Sequence, residues 1–262
     1  MSILTGKNIV VVGGTGGIGY SATKAFVAAG AHVVVAGRDE QKSRNLVQEL
    51  GKNVRSVTGD AGEPGVAEEA VALCTREFGP LHGLYHVAGG SGRRYGDGPL
   101  HELTLDGWNA TIQWNLTSLM LSNQAAVRAF LKTAGGGTIL NMGSVLGFSP
   151  SPGFFSTHAY AASKSAVIGF SKTIAAYYAK DNIRVNVVAP AVVETPMAQR
   201  AATDKAILDF LKTKQPLDHG RIGQPSDVDG IALYFMSDQS KFTTGQIIAV
   251  DGGWSVAEGQ YK

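Results

Sequence analysis

Cysteine is nearly absent from the 262 residues; Cys74 is the only one. No disulfide can form within the chain, which excludes a disulfide-stapled fold and fits a reducing compartment. Long apolar runs are missing as well. No stretch approaches the roughly 18 residues that a membrane helix needs. The first residues lead almost at once into a strand pattern, without the apolar segment and cleavage site of a signal peptide. A soluble cytoplasmic protein with no membrane partner is expected. Charge of one sign is also lacking. Lys and Arg total 23 against 21 Asp and Glu, a formal net charge of +2. The basic residues are scattered, so no nucleic-acid partner is expected. Nor is a metal centre.

What is present is apolar residues, at 44%, and glycine, at 34 residues. This is enough to bury one large core and make many tight turns. Short β-branched runs alternate with helical patterns. Residues 8–12, 32–36, 54–58, 83–87, 138–142, 184–188 and 246–250 read as strands, most of them continuously apolar, as parallel strands covered on both faces are. Residues 17–29, 40–50, 66–78, 105–131, 159–179 and 226–236 read as helices. Cys74 falls on one of them and reads as a buried, inert thiol. The alternation predicts an α/β protein: one doubly wound domain over 1–262, with a seven-stranded parallel sheet and helices on both faces. Three segments break the rhythm, at 89–98, 145–158 and 194–221. The first and last follow strand C-termini, where open α/β sheets bind ligands. The last is expected to form a lid with a short mobile helix, carrying Met197, Phe210 and Leu211.

The first strand runs into Val12-Gly13-Gly14-Thr15-Gly16-Gly17-Ile18-Gly19, which opens a helix. Gly13 permits the turn, Gly17 lets backbone approach a pyrophosphate, and Gly19 allows close packing of helix on strand. The helix N-terminus offers free N–H groups to phosphate. A Rossmann-type dinucleotide site is expected here, and a glycine-rich loop without a ligand is the alternative. The second strand ends at Ala36-Gly37-Arg38-Asp39. Gly37 leaves space and Arg38 brings a planar cation suited to a 2′-phosphate, which favours NADP(H) and leaves NAD(H) open. Asp39 either reaches the ribose or starts the next helix. Asp60 ends the third strand, where it either meets adenine or caps the following helix.

Tyr160 and Lys164 lie four residues apart on a predicted helix and so share a face. A neighbouring ammonium favours a phenolate, so the Tyr160 pKa is expected to fall and suit proton transfer near neutral pH. With this pair the chain resembles the short-chain dehydrogenase/reductases. The resemblance covers nearly the whole length. It rests on Gly13-x-x-x-Gly17-x-Gly19, Asn115 in a long helix, Ser144 after a strand, and Tyr160-x-x-x-Lys164. Asn186-Val187-Val188-Ala189-Pro190, Thr195, and Thr244-Gly245-Gln246 leading to Asp251-Gly252-Gly253 complete it.

The resemblance implies an NAD(P)-dependent oxidoreductase interconverting a ketone and a secondary alcohol. Tyr160 would be the general acid or base. Lys164 would lower its pKa and bind the nicotinamide ribose, Ser144 would hold the substrate oxygen, and Asn115 would support a water linking Lys164 to solvent. It assigns to the cofactor Gly13, Thr15, Gly17, Ile18, Gly19, Arg38, Asp60, Ala61, Ala88, Gly89, Tyr160, Lys164, Val193 and Thr195. It also implies a homotetramer, a dimer of dimers, with the 105–131 and 159–179 helices pairing between subunits.

The chain departs from the family pattern in four places. Val12 replaces the usual Thr. His86-Val87-Ala88-Gly89 stands for Asn-Asn-Ala-Gly, so the central sheet needs other support, and His86 reads as a core residue rather than a catalyst. Pro190-Ala191 replaces Pro-Gly. Fifteen residues separate Ser144 from Tyr160, slightly more than usual, with the extra length in 148–158.

That segment should overhang the reacting carbon. Phe148, Phe154 and Phe155 either contact an apolar substrate or pack the loop. Arg93 and Arg94 either meet a substrate anion or are solvated. A small-molecule carbonyl or alcohol is the expected partner. A 3-oxoacyl thioester on an acyl carrier, docked through Arg93, Arg94, Arg128 and Lys132, and a sugar or polyol are the alternatives. A cofactor-binding regulatory protein without chemistry is the reading from a different class.

Overall fold

Strand residues alternate strictly between two apolar layers. Ile9 and Val11 join Phe26, Leu46 and Phe235 on one side of the sheet. Val10 and Val12 join Val71, Cys74, Ala126 and Phe130 on the other. This is the side-chain period of two acting on a sheet covered on both faces. The computed structural model describes residues 2–259. Seven parallel strands lie in the order β3-β2-β1-β4-β5-β6-β7. They are β1 (Asn8–Val12), β2 (His32–Gly37), β3 (Val54–Thr58), β4 (Gly83–His86), β5 (Gly137–Met142), β6 (Ile183–Pro190) and β7 (Ile247–Val250). All seven expected strands form. The strand order reverses between β1 and β4, so a crevice opens at their C-terminal ends.

Helices α1 (Gly17–Ala28), α2 (Glu40–Leu50) and α3 (Val66–Phe78) follow the sequence pattern. Their starts have local causes. Asp39 caps α2 by accepting a hydrogen bond from the Lys42 N–H, the helix-start role of the two expected for it. Asp60 does not cap α3, whose N-cap is Gly65. Instead its Oδ1 accepts from the Gly62 N–H at 2.8 Å and closes a turn. Cys74 is buried in α3, and burial pushes its thiol up to about 12.

The expected continuous helix over 105–131 is interrupted. It divides into α4 (Leu105–Ile112) and α5 (Ser118–Thr133), joined by a π turn over Gln113–Thr117 that contains Asn115. Such bulges are often found at functional sites, and here the Thr111 carbonyl accepts from Asn115 Nδ2 at 2.9 Å. Beyond β5, α6 (His158–Tyr178) carries Tyr160 and Lys164.

The 194–221 segment holds two helices rather than one, α7 (Gln199–Thr203) and α8 (Lys205–Lys214). Asp204 caps α8. The helix is anchored, because Ile207 and Leu211 are buried with Val145, Ala201 and Trp254 and pack against Phe210. The last helix, α9 (Asp229–Met236), is preceded by a 3₁₀ turn at Pro225–Val228. It is shorter than its sequence pattern because Pro225 opens that turn.

The support missing from the fourth strand is supplied by polar pairs. His86 is fully buried between the Ser118 hydroxyl, 3.3 Å from Nε2, and the Ser122 hydroxyl, 2.7 Å from Nδ1. Burial and the Lys164 charge push it down to about 3, so it stays neutral. Asn123 and Asn141 exchange two side-chain hydrogen bonds of 2.9 Å, and Asn141 also donates to Ser171. Asn186 donates to the Thr243 carbonyl and accepts from the Gln246 N–H, holding the strand end.

Candidate active site

A cleft of about 1140 Å³ lies over the C-terminal ends of the strands. At one end it is lined by Gly13, Thr15, Gly17, Ile18, Arg38, Asp60 and Ala61, and at the other by Ser144, Phe155, Tyr160 and Trp254. Ala88, Gly89, Val193 and Thr195 also line it. Two of its glycines are demanded by geometry. Gly13 has φ +87°, and a Cβ there would stand 2.6 Å from the Ala88 nitrogen. A Cβ on Gly37 would stand 2.5 Å from Thr15 Oγ1. Gly19 does not line the cleft. A Cβ there would collide with the Gly13 carbonyl, so it packs helix against its own preceding turn rather than against the strand. The backbone path therefore admits a pyrophosphate at the start of α1. Arg38 stands exposed at the end of β2, 3.8 Å from Asp60 Oδ2.

Around the other end, separate elements bring the polar groups together. Ser144 follows β5, is buried, and accepts from the Leu146 N–H through Oγ. Its hydroxyl lies close enough to Tyr160 to favour the phenolate, but burial outweighs this and pushes the phenol up to about 12. The expected fall in the Tyr160 pKa is thus reversed. Tyr160 is half-buried at the cleft surface, so solvent there offsets part of the rise. The i, i+4 spacing does bring Lys164 alongside, with Nζ 5.5 Å from the Tyr160 ring centroid. But Lys164 is 2% exposed and donates to the Met142 carbonyl at 2.9 Å. Desolvation lowers it to about 8. Loss of water is the largest cause of both shifts, with Lys164 beneath the lining and Tyr160 at its surface.

Lys164 and Asn115 sit beneath the cleft lining rather than in it. The Asn115 Oδ1 accepts from the Gly90 N–H at 3.1 Å, and its Nδ2 donates to the Gly90 carbonyl at 2.7 Å. Both ends of this amide therefore clamp the backbone after β4. Gly89 fits beside it only because it lacks a side chain, since a Cβ would stand 2.6 Å from Asn115 Oδ1.

The whole chain matches known proteins. Residues 4–255 match the family model described as enoyl-(acyl carrier protein) reductase. A 3-oxoacyl-(acyl-carrier-protein) reductase of Chlamydia muridarum is 32% identical over 258 residues, covering 96% of this chain and 98% of that protein. A 3-alpha-(or 20-beta)-hydroxysteroid dehydrogenase of Mycobacterium bovis is 34% identical, with coverage of 95% and 90%. The solved structure of a short-chain type dehydrogenase/reductase from Mycobacterium ulcerans superposes with a TM-score of 0.89 at 29% identity, covering 97% of this chain and 91% of that one.

The chain belongs to the short-chain dehydrogenase/reductase family.

It is an NAD(P)-dependent oxidoreductase acting on alcohol and carbonyl groups. Among its described residues no helix is long and apolar enough to cross a membrane.

Within this short-chain dehydrogenase/reductase, several expected site residues fall elsewhere. Phe148 is exposed and does not line the cleft. Phe154 is turned onto Phe210, with ring centroids 5.4 Å apart. Of the three phenylalanines only Phe155 lines the cleft, and it also packs on Trp254. Residues without a sequence signal join the site. Trp254 arrives from beyond β7, just after Asp251-Gly252-Gly253. Arg200 lines the cleft from α7. Asp97 reaches the start of α6 from the loop after β4. Tertiary folding alone brings these three to the site.

Proposed function

We propose that this enzyme interconverts a ketone and a secondary alcohol through Tyr160, with NADP(H) as the preferred cofactor. One observation carries the reading: the Ser144 and Tyr160 hydroxyls meet at the end of a glycine-turned cleft, with Lys164 buried beside the tyrosine ring. A nicotinamide cofactor held along Gly13, Gly17 and Thr195 would supply or accept the hydride. Ser144 orients the substrate oxygen and steadies charge that develops on it. Tyr160, held protonated by burial, donates to that oxygen in reduction and recovers the proton in oxidation. Lys164 keeps its charge at neutral pH, because its lowered value remains near 8. That charge favours the phenolate as it forms. Asn115 holds Gly90 and the floor beneath Lys164, which supports positioning more directly than the water relay that the resemblance implies.

Arg38 and the small Gly37 support NADP(H) over NAD(H). Asp39 caps α2 through one oxygen, which supports giving the 2′ position to the guanidinium. A homotetramer is supported by the exposed apolar side chains Leu105, Trp108 and Leu131 on and beside α4 and α5, and by Tyr177 on α6. Light scattering should give the mass of four chains, and a single-chain mass would overturn it. The lone buried thiol suits the cytoplasm. A 3-oxoacyl thioester substrate is the second reading, favoured by the name of the Chlamydia relative. Against it, Arg128 faces Glu68 at 3.9 Å while Arg93 and Arg94 line the cleft, so the basic residues form no evident common docking patch.

Turnover of NADPH with a panel of ketones, measured beside Tyr160→Phe, tests the reading. The variant should lose about 100-fold or more in kcat, the usual scale of a lost general acid. Equal rates for variant and parent on every active ketone would remove Tyr160 from the chemistry.

A further inference from the structure

Two guanidinium groups from opposite sides of the cleft converge on one backbone oxygen. Arg93, on the loop after β4, donates from Nη2 to the Phe154 carbonyl at 3.1 Å. Arg200, on α7, donates from Nη2 to the same carbonyl at 2.8 Å. Both side chains line the cleft, as does Arg94. A neutral carbonyl balances neither charge. Partial desolvation and the charge of Arg200 both work against the cationic form of Arg93.

The surrounding groups do not compensate. Among the described residues, none of these three arginines has a carboxylate oxygen within 4.0 Å. Asp97 favours the Arg93 charge, but its two oxygens accept from the Ala159 and Tyr160 N–H groups. Among the described residues, Asp60 is the only acidic one lining the cleft, at the end where Arg38 stands. Among the described residues, the cleft lining that holds Arg93, Arg94 and Arg200 therefore has no acid beside them. All three side chains are exposed to solvent, and the two that converge on one oxygen in a concave site are suited to a planar oxyanion. Phe155 and Met197 give the same mouth an apolar wall, with the Arg200 guanidinium 5.8 Å from the Phe155 ring centroid.

We propose that the substrate carries a carboxylate, and that Arg93 and Arg200 clamp it at the mouth while its carbonyl lies at Ser144 and Tyr160. The substrate class is an oxo acid or the corresponding hydroxy acid. This rests on the carbonyl–alcohol reading above and narrows it. The clamp joins the loop after β4 to α7, so a bound acid ties together the two segments that border the cleft. The carboxylate replaces the Phe154 carbonyl as the shared acceptor, at twice the hydrogen-bonding capacity and with a full charge.

The test compares straight-chain oxo acids of increasing length with their methyl esters and with an uncharged 3-oxoacyl N-acetylcysteamine thioester. Two quantities are read: calorimetric affinity on the enzyme loaded with NADP+, which has no hydride to give an oxo acid, and kcat/KM with NADPH. At one chain length the acid should exceed its ester by about ten-fold or more, the scale of charge-assisted hydrogen bonds. In Arg93→Gln/Arg200→Gln the acid-to-ester ratio should fall by a similar factor. Arg93→Lys/Arg200→Lys should lie between, because lysine keeps the charge without the fork. The single Gln variants each leave one donor on Phe154, which guards against loop collapse in the double variant. Esters or the neutral thioester preferred at every length would overturn the clamp, as would a ratio unchanged by the Gln variants. Tight, arginine-dependent acid binding without turnover of any ketone would keep the clamp and remove the reductase reading. Ready turnover with acid and ester equal would do the reverse.

Discussion

Asp97 and Tyr160 are joined through the backbone: Asp97 Oδ2 accepts from the Tyr160 N–H at 3.0 Å, and Oδ1 accepts from the Ala159 N–H at the same distance. The carboxylate is 4% exposed. It occupies the N-terminus of α6, where first-turn N–H groups lack helical partners and the helix dipole favours an anion. Local sequence provides no cap, since Thr157 makes no side-chain capping bond. A residue more than 60 positions upstream therefore sets where the helix bearing the proposed acid begins.

Asp97→Ala should cost about 1–2 kcal/mol of stability, as the loss of a helix cap does, and should lower kcat more than it weakens NADPH binding. Asp97→Asn retains an acceptor and should recover much of both. Denaturant midpoints and steady-state kinetics provide the check. An alanine variant indistinguishable from the parent in midpoint and kcat would show that the cap is dispensable.

The pH dependence should differ between the two reaction directions. Burial raises Tyr160, so the protonated form needed for reduction persists through neutrality. Reduction kcat/KM should be level between about pH 6 and 8 and decline at higher pH, while oxidation should climb with pH as the phenolate becomes available. Identical profiles in both directions would contradict the assignment of Tyr160.

Lys164 carries a stability signature. Its folded value, near 8, lies below the ordinary lysine value, so above pH 8 the unfolded chain holds the proton more tightly than the folded one. Stability gains from this group as pH rises from about 8 towards 10.4, the ordinary lysine pKa, and the burial penalty is fully present below that window. Lys164→Met abolishes the term. Subtracting the variant's unfolding free energies from the parent's should leave a positive slope across that window. A flat difference would mean that the amine is not desolvated in solution.

Arg38→Ala should raise KM for NADPH by about ten-fold, the scale of one lost charge-assisted pair, and leave KM for NADH nearly unchanged. Initial rates with the two cofactors decide the matter. Matching changes for both would return the choice to NAD(H) or to no preference.

All seven strands, the glycine turn and the positions of Ser144, Tyr160 and Lys164 were legible in the chain. Each is written in local patterns: continuous apolar runs, glycines at fixed offsets, and a spacing of four on a helix. The break at 113–117 was not legible. A π turn has no residue code of its own and forms here as Asn115 clamps Gly90 and takes the Thr111 carbonyl. The roles of the phenylalanines were not legible either, because neighbouring Phe154 and Phe155 face different surroundings and only Phe155 lines the cleft.

The sequence by itself determined the sheet, its two apolar layers, the dinucleotide turn and the family, because these depend on periodicity and on residues close together in the chain. Tertiary structure alone decided the direction of the Tyr160 and Lys164 shifts, the capping of α6 by Asp97, and the meeting of Arg93 with Arg200. Those outcomes depend on how much water each group loses and on which distant segments share a surface, and neither is encoded in local order.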